Sequence, residues 1–142
     1  MNDWLLGLHV LFSLYMFGLI WFVQVVHYPL MASVGVEDFV SYERRHTQLT
    51  GWVTAPMMLI ELGTGLLLAF RADDQPLFWY VNLALILLLW ASTFFVQVPL
   101  HQRLSQTYDP AAMRGLVRTN WARTVLWTVR AVGLVWWVIA RS

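Results

Sequence analysis

Four apolar blocks, roughly residues 4–28, 49–70, 77–100 and 121–140, take up most of this 142-residue sequence. Each is close to the roughly 20 residues an α-helix needs to cross the hydrocarbon core of a bilayer. Charged residues make up only 12% of the chain, against about 25% in an ordinary soluble domain, and 59% are hydrophobic, too many to hide from water in one small core. The blocks do not alternate as barrel strands do, which leaves helices as the structure that satisfies its own backbone in lipid. The sequence therefore predicts one all-α membrane domain over residues 1–142, a bundle of four transmembrane helices.

The first block is too long for the roughly 7–15-residue core of a secretion signal and has no basic segment before it, so it is expected to stay as a helix. Cysteine is absent, which excludes disulfides, thiolate nucleophiles and thiolate metal ligands. All nine basic residues are arginine. Arg44, Arg45, Arg103, Arg114 and Arg118 fall in the two loops on one side, while Arg71 and Arg141 fall on the other. The positive-inside rule then places the Arg-rich loops in the cytoplasm and both termini outside, as in a bacterial inner-membrane protein. Trp4, Trp52, Trp79 and Trp121 lie near the expected membrane boundaries, where interfacial aromatics collect. The first partner implied is the lipid bilayer, and no nucleic-acid motif is present.

A residue before proline is pushed out of the helical region, so the first helix is expected to stop at Pro29 and the third, over residues 77–98, at Pro99. Residues 32–45 are too polar to span. A helix is expected to start at Val36 behind Ser33 or Gly35, with Glu37 and Asp38 in its first turn, and to run through His46 into the second span. Pro56 predicts a kink there, and Gly63 and Gly65 a close helix contact. Residues 71–76 read as a short polar turn. Asp109 and Pro110 suit an N-cap and first helical position, from which one helix reaches Ala140, about 46 Å at roughly 1.5 Å per residue. Its first ten residues are expected in the cytoplasm or along the interface, with Met113, Leu116 and Val117 on one side and Arg114 and Arg118 on another. Helices two and four thus extend into the cytoplasm.

The Phe-Val-Gln-Val of residues 22–25 returns at residues 95–98. Gln24 to His46 spans 22 residues and Gln97 to Asn120 spans 23, while Val36 to His46 and Pro110 to Asn120 both span ten. The chain reads as two repeated helical hairpins with pseudo-twofold symmetry about the membrane normal.

That arrangement gathers His27, His46 and His101 at one membrane face with Gln24, Gln97, Asn120 and Arg123. Three imidazoles from three helices are a candidate first shell for Zn, Cu or Fe, or supply an axial ligand to haem, although Arg123 opposes a second cation beside it. The same ring suits an anionic or enolate-like organic molecule. Gln24, Gln97, Asn120 and Arg123 would bind it and His27, His46 or His101 would act as catalytic base. The plainer alternative has the histidines only hydrogen-bonding across helices at headgroup level.

A second polar set, His9, Glu61 and Arg130, lies deeper in three different spans. Ions inside a membrane are costly and pair, so Glu61 is expected to meet Arg130 or His9, either as an internal brace or as part of a proton path. Met57, Met58 and Trp127 read as packing residues.

At Gln-Val-Val-His-Tyr-Pro (24–29), Val-Pro-Leu-His (98–101) and Thr-Asn-Trp-Ala-Arg-Thr (119–124) the chain resembles a group of bacterial four-helix membrane proteins. More distantly it is similar to the anthrone-oxygenase-like family of small membrane proteins. The resemblance implies a pocket lined by Pro29, Pro99, His101, Asn120 and Arg123, and oxygenation of anthrones to anthraquinones without an obvious metal or flavin motif. His101 stands where an Asn is more usual in that family, and His27 and His46 are additions to its pattern.

The reading that results is a small membrane oxygenase or isomerase acting on a hydrophobic, ionisable aromatic molecule. The cofactor is open between none, a His-ligated metal and haem. The alternatives are a non-catalytic accessory subunit of a larger membrane complex, or a metal, haem or pigment binder; the protein partner expected is such a complex or a second copy in a homo-oligomer.

Overall fold

The computed structural model describes residues 3–71 and 76–141, which form four long helices. These are α1 (Asp3–Met31), α2 (Val36–Arg71), α3 (Pro76–Leu104) and α4 (Pro110–Ile139), each long and apolar enough to cross a membrane. Residues 72–75, where the polar turn was expected, lie outside the described residues.

Helix α1 packs on α2 and α4, and α3 packs on the same two, so consecutive helices are neighbours around a square bundle. Only 17–33% of each apolar window is buried inside that bundle. Leu11, Phe70, Phe95 and Trp136 are 59%, 74%, 81% and 62% exposed, part of an apolar outer face far larger than water tolerates and suited to lipid. The chain is an integral membrane four-helix bundle.

Inside, three apolar clusters follow one another. Leu5, Leu68, Trp79, Leu134 and Trp137 fill one end. Met16, Ile20, Met58, Leu89 and Trp127 form the middle. Tyr28, Met31, Phe39, Leu104 and Leu116 close the other end, which carries Arg44, Arg45, Arg103, Arg114 and Arg118 and is called the basic end below. Met113 and Leu116 are buried in that last cluster, so the first turns of α4 stay packed against the bundle.

Two expectations built on local signals hold: α2 is one helix of 36 residues running through His46, and α4 starts at Pro110 with Asp109 as N-cap. The Asp109 side chain accepts hydrogen bonds from the Ala111 and Ala112 N–H groups, satisfying donors that a helix start leaves free.

The prolines behave differently from expectation. Neither Pro29 nor Pro99 ends its helix: α1 continues to Met31 and α3 to Leu104. Each proline is preceded by a π-helical turn, Val23–His27 and Thr93–Gln97, in which the Tyr28 N–H donates to Val23 O and the Val98 N–H to Thr93 O. A proline in an α-helix removes one donor and crowds the carbonyl four residues back. The widened turn opens that crowded position and absorbs the missing bond, so the helix survives. Pro56, by contrast, lies inside α2 as expected.

Two other positions are corrected. Trp79, expected at the interface, is fully buried, with its ring edge-on to Trp137 at 4.9 Å. Of the two glycines, only Gly65 makes a close contact: a Cβ there would lie 2.5 Å from Ile86 Cδ1 and 3.3 Å from His9 Cε1, whereas one at Gly63 would meet nothing within 4 Å.

Candidate functional site

Both π turns lie at the basic end and carry its polar side chains. Gln24 and His27 belong to the first, Gln97 closes the second, and His101 follows one turn later. The turns and their prolines are offset by 70 residues, Pro29 to Pro99, whereas the matching glutamines are offset by 73, Gln24 to Gln97. The sequence match and the bent turns thus differ in register by about one helical turn.

A cavity of about 600 Å³ opens among the helices here, a size suited to a small organic molecule. Its inner wall is apolar, from Met16, Leu19, Ile20 and Val23, and its polar wall includes His46, Gln97, His101 and Arg123. Gln24 and Asn120 are not in the wall but stand behind it. The Asn120 amide donates to Gln24 Oε1 at 2.8 Å and accepts from Arg123 Nη1 at 3.0 Å, while Gln24 Nε2 donates to the Val117 carbonyl at 3.3 Å. Gln24 and Asn120 therefore orient Arg123, which also lies 5.2 Å from the Trp127 ring centroid. Among the described residues no carboxylate lies within ion-pair distance of Arg123. Gln97 donates to Thr119 Oγ1 at 3.0 Å and leaves its Oε1 buried without a partner. Of the residues the family resemblance implied, His101 and Arg123 line the cavity, whereas Pro29 and Pro99 face outward.

The three histidines come together around a residue that sequence reasoning missed. Glu43, fully buried, accepts from or ion-pairs with His101 Nδ1 at 2.5 Å through Oε1. His46 lies one turn further along α2, its Nδ1 3.1 Å from Thr50 Oγ1 and its ring centroid 5.6 Å from that of His101. His27 stacks on His46, ring centroids 4.3 Å apart, and is not among the cavity-lining residues. Donor atoms of Glu43, His46 and His101 lie within 4.8 Å of one another, so the group fit to hold a metal contains Glu43 rather than His27. The signal was the Glu-x-x-His spacing of Glu43 and His46, which puts both on one face of a helix.

The deeper layer is a separate, closed network joining all four helices. Arg130 donates to Glu61 Oε1 at 2.6 Å, to Asn82 Oδ1 at 3.2 Å and to Ser13 Oγ at 3.2 Å, and Trp127 Nε1 donates to Glu61 Oε2 at 3.3 Å. Because Asn82 Oδ1 receives Arg130, its amide nitrogen donates to His9 Nε2 at 3.0 Å. His9 Nδ1 then carries its proton and donates to Thr64 Oγ1 at 2.8 Å, whose own hydroxyl donates to the Ile60 carbonyl. His9 is thus a neutral Nδ1–H tautomer, held by Thr64 and Asn82 instead of Glu61. Ser13 and Thr64 were within reach of sequence reasoning, four residues after His9 and three after Glu61.

Comparison of the chain with protein-family models, with curated proteins and with solved structures found no match.

Proposed function

We propose that this protein is a small membrane enzyme, of oxygenase or isomerase type, whose cavity takes an amphiphilic molecule with an ionisable aromatic head. The observation that carries this reading is the cavity wall: Arg123, with no carboxylate partner among the described residues, shares it with His46 and His101, while Met16, Leu19 and Ile20 offer an apolar bed. Arg123 would hold the anion, steadied by Asn120 and Gln24, and His101, backed by Glu43, would accept the substrate proton. An isomerisation returns that proton at another carbon. An oxygenation takes dioxygen as oxidant, placing one oxygen as a carbonyl and releasing the other with two substrate hydrogens as water.

The crowding of Arg44, Arg45, Arg103, Arg114 and Arg118 at one end supports a cytoplasmic mouth with both termini outside. The similar bent turns in α1 and α3 support two related hairpins. An accessory-subunit role would draw support from a closed polar ring; the open cavity favours a ligand site.

The test is binding of a hydrophobic aromatic carboxylate and of its methyl ester to protein in nanodiscs. A hydrogen bond to a charged group contributes about 1.5–3 kcal/mol, roughly a 10–100-fold preference for the acid. Arg123→Gln should remove that preference. Equal affinity for acid and ester in the wild type would sink the reading.

A further inference from the structure

We propose that Glu43, His46 and His101 form a binding site for one divalent transition-metal ion whose free coordination positions face the cavity. Glu43 and His46 share a face of α2, and His101 reaches them from α3. Donor atoms within 4.8 Å of one another surround a point that metal–ligand bonds of about 2.0–2.2 Å reach after side-chain shifts of less than about an ångström.

Independent support comes from a polar atom with nothing to bond. Glu43 is 0% exposed, yet its Oε2 has no hydrogen-bond partner among the described residues. A buried carboxylate oxygen left in that state is costly unless a donor or a cation meets it. His27, whose ring stacks on that of His46, is not one of the grouped donors, so the unsatisfied Glu43 oxygen carries this support alone.

The donor set narrows the ion. Two imidazoles and one carboxylate, with no cysteine anywhere in the chain, suit Zn, Mn, Co or Fe in the divalent state and leave positions for water or a ligand. Thr50, 3.1 Å from His46 Nδ1, orients that ring and leaves Nε2 as the ligating nitrogen, a supporting contact common around metal-bound histidines. Arg123 lines the same cavity, with its guanidinium held by Asn120 Oδ1 and over the Trp127 ring. His46 and His101 line the cavity, so an ion between them would meet whatever occupies it.

The site shares Glu43, His46 and His101 with the organic-anion reading but needs neither Arg123 nor a substrate, so the two can be tested separately. The experiment is titration of chelator-stripped protein in nanodiscs with Co²⁺, followed by visible absorption, with Zn²⁺ competition and elemental analysis. One ion per chain is expected, with affinity lowered at least tenfold in both Glu43→Gln and His46→Gln and unchanged in Arg123→Gln. If Glu43→Gln does not fold, His46→Gln decides alone. Absence of stoichiometric binding in the wild type overturns the proposal. So does full binding in either ligand variant, or an equal loss in Arg123→Gln, which would show that the loss does not depend on the ligand atoms. Metal binding without the acid preference described above would retain this site and remove the anion pocket.

Discussion

Glu61→Gln should be among the most damaging single changes in the bundle. The Arg130 and Glu61 side chains are 0% and 2% exposed, so the relevant scale is that of a buried pair, where removing one partner costs about 3–5 kcal/mol. An exposed pair would be worth only about 0.2–1 kcal/mol. The substitution preserves shape, but one amide oxygen must now serve both Arg130 Nη1 and Trp127 Nε1, which Glu61 receives on separate oxygens. The arginine charge is left without a counter-ion and cannot be shed. Arg130→Met should cost less, because a lone carboxyl can neutralise itself by taking up a proton. The double variant should cost less than the sum of the two by about 2 kcal/mol. Unfolding in mixed detergent micelles, followed through tryptophan fluorescence, measures all three. A Glu61→Gln cost under about 1 kcal/mol, additivity within about 0.5 kcal/mol, or a larger loss for Arg130→Met would refute the reasoning.

Two further predictions concern packing and capping. Gly65→Ala should destabilise the bundle by about 1–3 kcal/mol through its clash with Ile86 Cδ1, and Ile86→Val, which removes that methyl, should restore part of the loss; no rescue would mean that the His9 contact dominates. At Asp109, the Ala112 N–H bond, aided by Ala111 and Arg103 and opposed by partial burial, holds the carboxyl below its usual range. A depressed carboxyl contributes stability that is present above the unfolded value of about 3.9 and fades as pH falls through the lower folded value. Protection of the first-turn amides of α4, taken relative to their intrinsic exchange rate at each pH, should therefore fall in acid below about pH 4, and Asp109→Ala should remove that acid step; an unchanged acid step in the variant would refute the cap's role.

Much of the basic end was legible in outline. Gln24, His27, His46, Gln97, His101, Asn120 and Arg123 do gather there, because each sits near the end of an apolar block and block length sets depth. Their division into a cavity wall, a supporting rank and a residue stacked behind was not legible. The spans are apolar on nearly all sides, and lipid outside is as apolar as the core inside, so hydrophobic pattern carries no signal of which face turns inward. Trp79 and Gly63 were misjudged for that reason: one is inward and the other outward.

By itself, the sequence determined what depends on nearby residues: four spans from apolar length, an unbroken α2, and the start of α4 from Asp109 and Pro110. The tertiary structure decided what depends on distant ones. Glu43 meets His101 across 58 residues and Arg130 meets Ser13 across 117, and Asn82 completes a network whose other members lie in three other helices. The π turns belong to the same class. A local rule ends a helix at proline, because an isolated chain gains nothing by continuing. In the bundle, Met31 and Leu104 are buried beyond Pro29 and Pro99, and that packing outweighs the lost backbone bond.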